Sequence, residues 1–216
     1  MKLILIRPEN LSKGSAHQFS DQIINELRKE KELSVVGFGN ASSLACMAVQ
    51  ISSSIANVSI SELSLDYIGA PSLGISGVFF VLDKESRIDW EKEKRKLESE
   101  MNLTFDRDGQ LIIISKKLPP DKMMPLCLSK LARSELLKIA ASGSSINRAT
   151  SLALELTRGD ITKEPVGINL VTLSTVEFQV ETTTFQGTGI DIYLKKAIQT
   201  TYSEKHRQIL KMLEER

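Results

Sequence analysis

The sequence predicts a two-layer α/β protein built from two copies of one βαβαββ unit, packed as an intrachain pseudo-dimer, each copy followed by a charged helix. Three observations predict it. The segment Val35-Val36-Gly37-Phe38-Gly39-Asn40-Ala41-Ser42-Ser43-Leu44-Ala45 lines up with Ile139-Ala140-Ala141-Ser142-Gly143-Ser144-Ser145-Ile146-Asn147-Arg148-Ala149, the glycines and alanines both offset by 104. Apolar runs with strand character alternate with stretches of helical period in the same order in both halves. Trp90 and Tyr202, and Leu97 and Ile209, are 112 apart, so the match extends into the charged helices, with about eight extra residues late in the second copy. The two copies divide the chain into 1–104 and 105–216.

In the first copy, Lys2 to Arg7 reads as a buried strand stopped by Pro8. Phe19, Ile23, Ile24 and Leu27 give the period of an amphipathic helix over Ser15 to Lys31. Leu33 to Gly39 is a second buried strand, and Asn40 is read as the N-cap of a helix carrying Leu44, Met47, Ala48, Ile51 and Ile55 on one face. Val58 to Tyr67 forms a strand with one change of register, as a bulge would give. The turn Gly69-Ala70-Pro71-Ser72 leads to a last strand, Gly77 to Asp83, and Asp89 to Glu100 is a charged helix. The second copy follows with a strand at Gln110 to Ser115 and a helix opened by Pro119-Pro120 and running to Leu131. A strand at Leu136 to Ala141 and a helix at Ser144 to Arg158 come next, then a hairpin from Val166 to Val180 and Ile190 to Leu194, and a helix at Ser203 to Glu215. The strand–helix–strand opening makes the first two strands of each unit parallel, with the hairpin antiparallel. Helices on one sheet face leave the other free, and the second copy is read as its cover.

Composition narrows the class of function. The chain has 28 basic and 27 acidic residues, so it lacks the strongly basic balance of most phosphate binders. The charge is uneven: 12 basic and 14 acidic residues up to Thr104, against 16 and 13 after it. The longest early aliphatic run, Leu3 to Ile6, is too short for a signal-peptide core or a membrane span, which predicts a cytoplasmic protein with Cys46 and Cys127 reduced and buried. His17 and His206 have no Cys or carboxylate cluster at ligand spacing, so no metal or other cofactor is expected. The serine-rich stretches Ser42-Ser43, Ser52 to Ser54 and Ser142 to Ser145 have no base placed beside them by motif, and no enzyme activity is read. Glu91 to Lys96 reads as a solvated helix face with i,i+4 pairs.

Within this order, the second copy resembles the Alba family of archaeal chromatin and RNA-binding proteins. Ser115-Lys116-Lys117 follows its first strand, Met123-Met124 lies in the next helix, and Ser142 to Ala149 matches the family's glycine turn into the second helix. The first copy keeps Gly39 and Ala45, with Arg7 and Lys13 where the basic loop belongs. The resemblance implies a dimer fused into one chain, binding DNA or RNA through the loop after the first strand and through hairpin arms, and nucleoid-associated if the ligand is DNA. The family's arginines flanking the turn glycine are Ser142 and Ser144 here, Leu44 stands opposite Arg148, and the Gln179 to Gly189 arm carries Glu181 and no Lys or Arg.

The candidate nucleic-acid ligands are therefore Lys116, Lys117 and Lys122, with Arg148 and Asn147 on the second helix and Arg7 and Lys13 in the first copy. Ammonium groups on a short loop contact phosphates and release counterions, and a near-neutral chain predicts weak binding at physiological salt. Two readings stay open. One is a nucleic-acid-binding protein, asymmetric towards the second copy. The other is a degenerate Alba-like pseudo-dimer that binds protein, including other Alba-like chains. No membrane partner is expected.

Overall fold

The computed structural model describes residues 2–12, 14–56, 58–69, 74–84, 88–100, 110–159, 161–162, 164–180 and 183–215. They form two α/β units. The first half of the chain supplies β1 (Lys2–Ile6), α1 (Ala16–Lys29), β2 (Glu32–Phe38), α2 (Ser42–Ala56), β3 (Ser59–Ile68), β4 (Ile75–Asp83) and α3 (Trp90–Glu100). The second supplies β5 (Leu111–Ile114), α4 (Pro120–Leu131), β6 (Leu136–Ser142), α5 (Ile146–Leu156), β7 (Val166–Val180), β8 (Thr183–Lys196) and α6 (Glu204–Glu214).

The two sheets have one topology: β1-β2-β4-β3 and β5-β6-β8-β7. The opening pair is parallel in each, with Ile4 beside Val35 and Ile112 beside Ile139, and the returning strand runs antiparallel to it. Equivalence holds residue by residue: Val35 faces Phe80 and Ile139 faces Ile192, reproducing the 104 and 112 offsets. The later growth of the offset accompanies longer strands, 15 and 14 residues in β7 and β8 against 10 and 9 in β3 and β4. The register change expected in the third strand falls between Ile60 and Glu62.

The turns from β2 into α2 and from β6 into α5 also match. Each is a three-residue 3₁₀ turn, Gly39–Ala41 and Gly143–Ser145. Gly39 has φ +57 and Gly143 φ +52, a region where a side chain is strained, and no atom crowds Gly143, so conformation alone calls for glycine there. Gly37 is needed for a different reason: a Cβ there would lie 2.3 Å from Ala45 Cβ, where helix and strand touch. Asn40 is not the cap expected of it. It lies inside the 3₁₀ turn, α2 begins at Ser42, and Ser42 Oγ donates to Gly37 O at 3.1 Å. α1 does start at a side-chain cap, a reciprocal box between Ser15 and Gln18.

One compact unit comprises Met1–Ile88, Thr175–Thr188 and Tyr202–Arg216; the other comprises Asp89–Ser174 and Gly189–Thr201. Each unit thus takes its charged helix from the opposite repeat. In the first, α1 and α2 cover one face of the sheet. On the other face Ile209 of α6 is buried with Leu3, Val36, Phe79 and Val81, and Leu5, Phe38, Leu210 and Leu213 pack around them. His206 is fully buried there: Nδ1 lies 2.8 Å from Ser64 Oγ, Nε2 lies 2.9 Å from Asp66 Oδ2, and Tyr202 stacks on the ring at 4.3 Å. Ser203 caps the helix by accepting from the His206 N–H.

In the second unit, α4 and α5 pack on β6, and α3 supplies Leu97, which is buried against Tyr193. Around this contact Lys138 Nζ lies 3.0 Å from Asp191 Oδ2 and 3.4 Å from Glu98 Oε1, Lys94 Nζ lies 3.3 Å from Asp191, and Tyr193 donates to Glu98 at 2.7 Å. The solvated face expected over Glu91 to Lys96 is interrupted at Lys94. Lys94 and Glu98, one turn apart and flanking Leu97, turn inwards, while Glu91, Lys92, Glu93, Arg95 and Lys96 stay exposed. No helix among the described residues is long and apolar enough to cross a membrane.

Candidate nucleic-acid interface

β5 ends at Ile114, and the chain turns at once. The Leu118 N–H donates to Ser115 O at 3.2 Å, closing a four-residue turn with Lys116 and Lys117 at its tip. Both are exposed, and among the described residues neither side chain has a hydrogen bond or ion pair. Pro119 then precedes α4, whose first turn carries exposed Lys122. The connection is short because the partners Ile112 and Ile139 are 27 residues apart, against 31 for Ile4 and Val35 in the first repeat.

The turn is joined to the start of α5. Arg148, half-buried in the first turn of that helix, donates through one terminal nitrogen to Ser115 O at 2.8 Å. Its other terminal nitrogen donates to Leu118 O and lies 3.6 Å from the sulfur of Met123 on α4. Asn147 is half-buried beside it, and Ser142 and Ser144 are exposed around Gly143. Lys116, Lys117, Lys122 and Arg148 thus gather at one end of the second sheet, where β5 ends and α5 begins.

The corresponding region of the first unit is built differently. Arg7 follows β1 directly, with its guanidinium 3.8 Å from Glu9 and its backbone N–H donating to Asn10 Oδ1 at 2.6 Å. The chain then forms a 3₁₀ segment, Pro8–Ser12, and Leu44 is buried at the position equivalent to Arg148. Lys13 lies outside the described residues.

Two features escape a reading of sequence. The carbonyls that receive Arg148 are main-chain atoms about 30 residues away, which no side-chain motif announces. On the hairpin, Phe178 and Phe185 stack with ring centroids 6.0 Å apart, both close to half exposed. Gly187 leaves the space: a Cβ there would come within 2.9 Å of the Phe178 ring. Alternation along the two strands was the available signal, since both phenylalanines sit among polar Gln, Thr and Glu. Burial raises both thiols, Cys127 to about 12 and Cys46 further. Among the described residues no three His, Cys, Asp or Glu side chains gather as a metal site would require.

Among solved structures, the chain is similar to Alba from Thermoplasma volcanium, at 24% identity and a TM-score of 0.34, over 39% of this chain and 98% of that one. No protein-family model and no curated protein matches the sequence.

Proposed function

We propose that the protein is a non-enzymatic nucleic-acid-binding protein, its phosphate contacts made by the Lys116–Lys117 turn with Lys122 beside it. The observation that carries this is the tight turn itself. Two exposed ammonium groups, without a partner among the described residues, stand at the end of β5, a third opens α4, and the Arg148 guanidinium adds its charge behind them. Such a cluster neutralises phosphates without reading base edges. Arg7, held near Glu9, offers less, so the ligand lies towards the second unit. Fluorescence anisotropy with duplex DNA and RNA across a salt series tests this. Binding weakens as salt rises, and Lys116→Ala with Lys117→Ala flattens the slope of log affinity against log salt by up to about two units on DNA. An unchanged slope and affinity removes this turn from the interface.

The hairpin favours a second reading, a protein-interaction module. Its described tip residues carry Glu177 and no Lys or Arg, and they expose the stacked Phe178 and Phe185, a surface suited to an apolar partner more than to phosphate. Retention of binding to a protein partner by the double lysine variant, with no nucleic-acid binding by the wild type, favours this reading.

A further inference from the structure

We infer that Arg148 is a positioning residue, a brace that fixes the Lys116–Lys117 turn, and not itself a phosphate ligand; the consequence for binding rests on the function proposed above. Both terminal nitrogens of its guanidinium are occupied by the protein: one by Ser115 O, the other by Leu118 O with Met123 sulfur beyond it. Those carbonyls stand at the two ends of the turn. The group therefore spans Lys116 and Lys117 from behind and ties the end of β5 and the entry to α4 onto α5. The turn's own closure is a single long backbone hydrogen bond of 3.2 Å, so without Arg148 little among the described contacts holds its shape.

The planar fork of arginine suits this task, because its donors point in fixed, divergent directions and reach two acceptors together. Lysine carries the same charge on one nitrogen and lacks that fork. Among the described residues no carboxylate pairs with Arg148, so its charge still raises the potential around the turn while its donors serve the backbone. The first unit replaces this device with apolar packing: Leu44 holds the equivalent place, and the loop after β1 closes on itself through Arg7, Glu9 and Asn10. Paired lysines and brace occur together in the second unit, and both are missing from the first.

The charge-preserving variant Arg148→Lys and the neutral Arg148→Met separate brace from ligand. In the full chain without nucleic acid, ¹⁵N relaxation and amide hydrogen exchange at Lys116, Lys117 and Leu118 report the turn. Both variants lower the order parameters of these amides and speed exchange at Leu118, while amides later in α5 keep their protection. Affinity for duplex DNA falls about tenfold in Arg148→Lys, because a loosened turn must be ordered on binding, and somewhat further in Arg148→Met, which also loses the charge behind the turn. The salt slope keeps its wild-type value. A slope lowered by about 0.9 in Arg148→Met, with affinity retained in Arg148→Lys and the turn still ordered, makes Arg148 a direct phosphate contact and overturns the inference. If the wild-type chain binds neither DNA nor RNA, the functional reading fails by itself. The relaxation data still decide the brace: a turn as rigid in both variants as in the wild type removes it.

Discussion

On the face of the first sheet away from α1 and α2, Ile209 of α6 meets Leu3, Val36, Phe79 and Val81; in the second unit, Leu97 of α3 meets Tyr193 amid Lys138, Asp191, Glu98 and Lys94. The positions correspond. Lys138 stands where the first unit has Ser34, Asp191 where it has Phe79, and Tyr193 where it has Val81. One duplicated scaffold therefore seats its covering helix on an apolar cluster in one unit, with the buried His206 bonded to Ser64 and Asp66 beside it, and around a buried ionic network in the other. The difference separates strength from selectivity. Apolar area stabilises whatever covers it. A buried ion network penalises any occupant that leaves a charge unpaired. α6 turns Ile209, Leu210 and Leu213 to the first sheet, whereas α3 brings Lys94 and Glu98 to Asp191 and Lys138 of the second.

The largest expected effect comes from breaking the ionic side. Lys138→Ala leaves Asp191 buried with Lys94 beside it and Glu98 part-buried with only the Tyr193 hydroxyl, and costs about 3–5 kcal/mol in urea unfolding. Ser34→Ala, at the matching position, removes a buried hydroxyl that has no partner among the described residues and is neutral or slightly stabilising. Equal losses at the two positions would show that the faces are not chemically distinct.

Truncating the apolar contacts sharpens the comparison from the other side. Ile209→Ala costs about 2–5 kcal/mol, since it empties a fully buried site bounded by four apolar side chains. Leu97→Ala costs less, because Leu97 keeps 7% exposure and its one buried contact in the cluster is a tyrosine that remains fixed to Glu98.

The smallest effect is alkaline. Tyr193 is pushed above the ordinary tyrosine value, chiefly by burial, then by its hydrogen bond to Glu98 and the nearby Asp191 charge. A pKa raised in the folded state stabilises the fold below the unfolded value of about 10, and that contribution is lost as pH rises beyond it. Stability by chemical denaturation therefore falls above pH 10, and Tyr193→Phe makes the fall shallower. Tyr202, raised by burial and by Asp66 in the first unit, accounts for part of what remains.

The order of elements was legible because each carries its own local signal. The period of Ile23, Ile24 and Leu27, the Pro119-Pro120 start and the two turn glycines each specify structure within a few residues. The lysine turn was legible for the same reason, being a short loop directly after a strand. What pairs across the chain was not. His206 finds Ser64 and Asp66 about 140 residues away, Lys138 finds Glu98 across 40, and Arg148 finds main-chain carbonyls. In sequence, Lys94 and Glu98 are two members of a uniformly charged helix. Only the face that the helix turns towards Tyr193 separates them from their solvated neighbours. Asn40 illustrates the converse: a good capping residue points to a helix start one residue too early, because a 3₁₀ turn precedes α2.

The exchange of α3 and α6 bears on how the protein is made. The first sheet is complete once Asp83 has been synthesised, yet the helix that covers its second face ends at Glu214. As the polypeptide leaves the ribosome, Leu3, Val36, Phe79 and Val81 stay open to water, and to neighbouring nascent chains, until the last helix emerges. The second sheet has no such interval, because α3 is translated before any of its strands and waits for them. Of the two sheets, the one made first is thus the last to be covered.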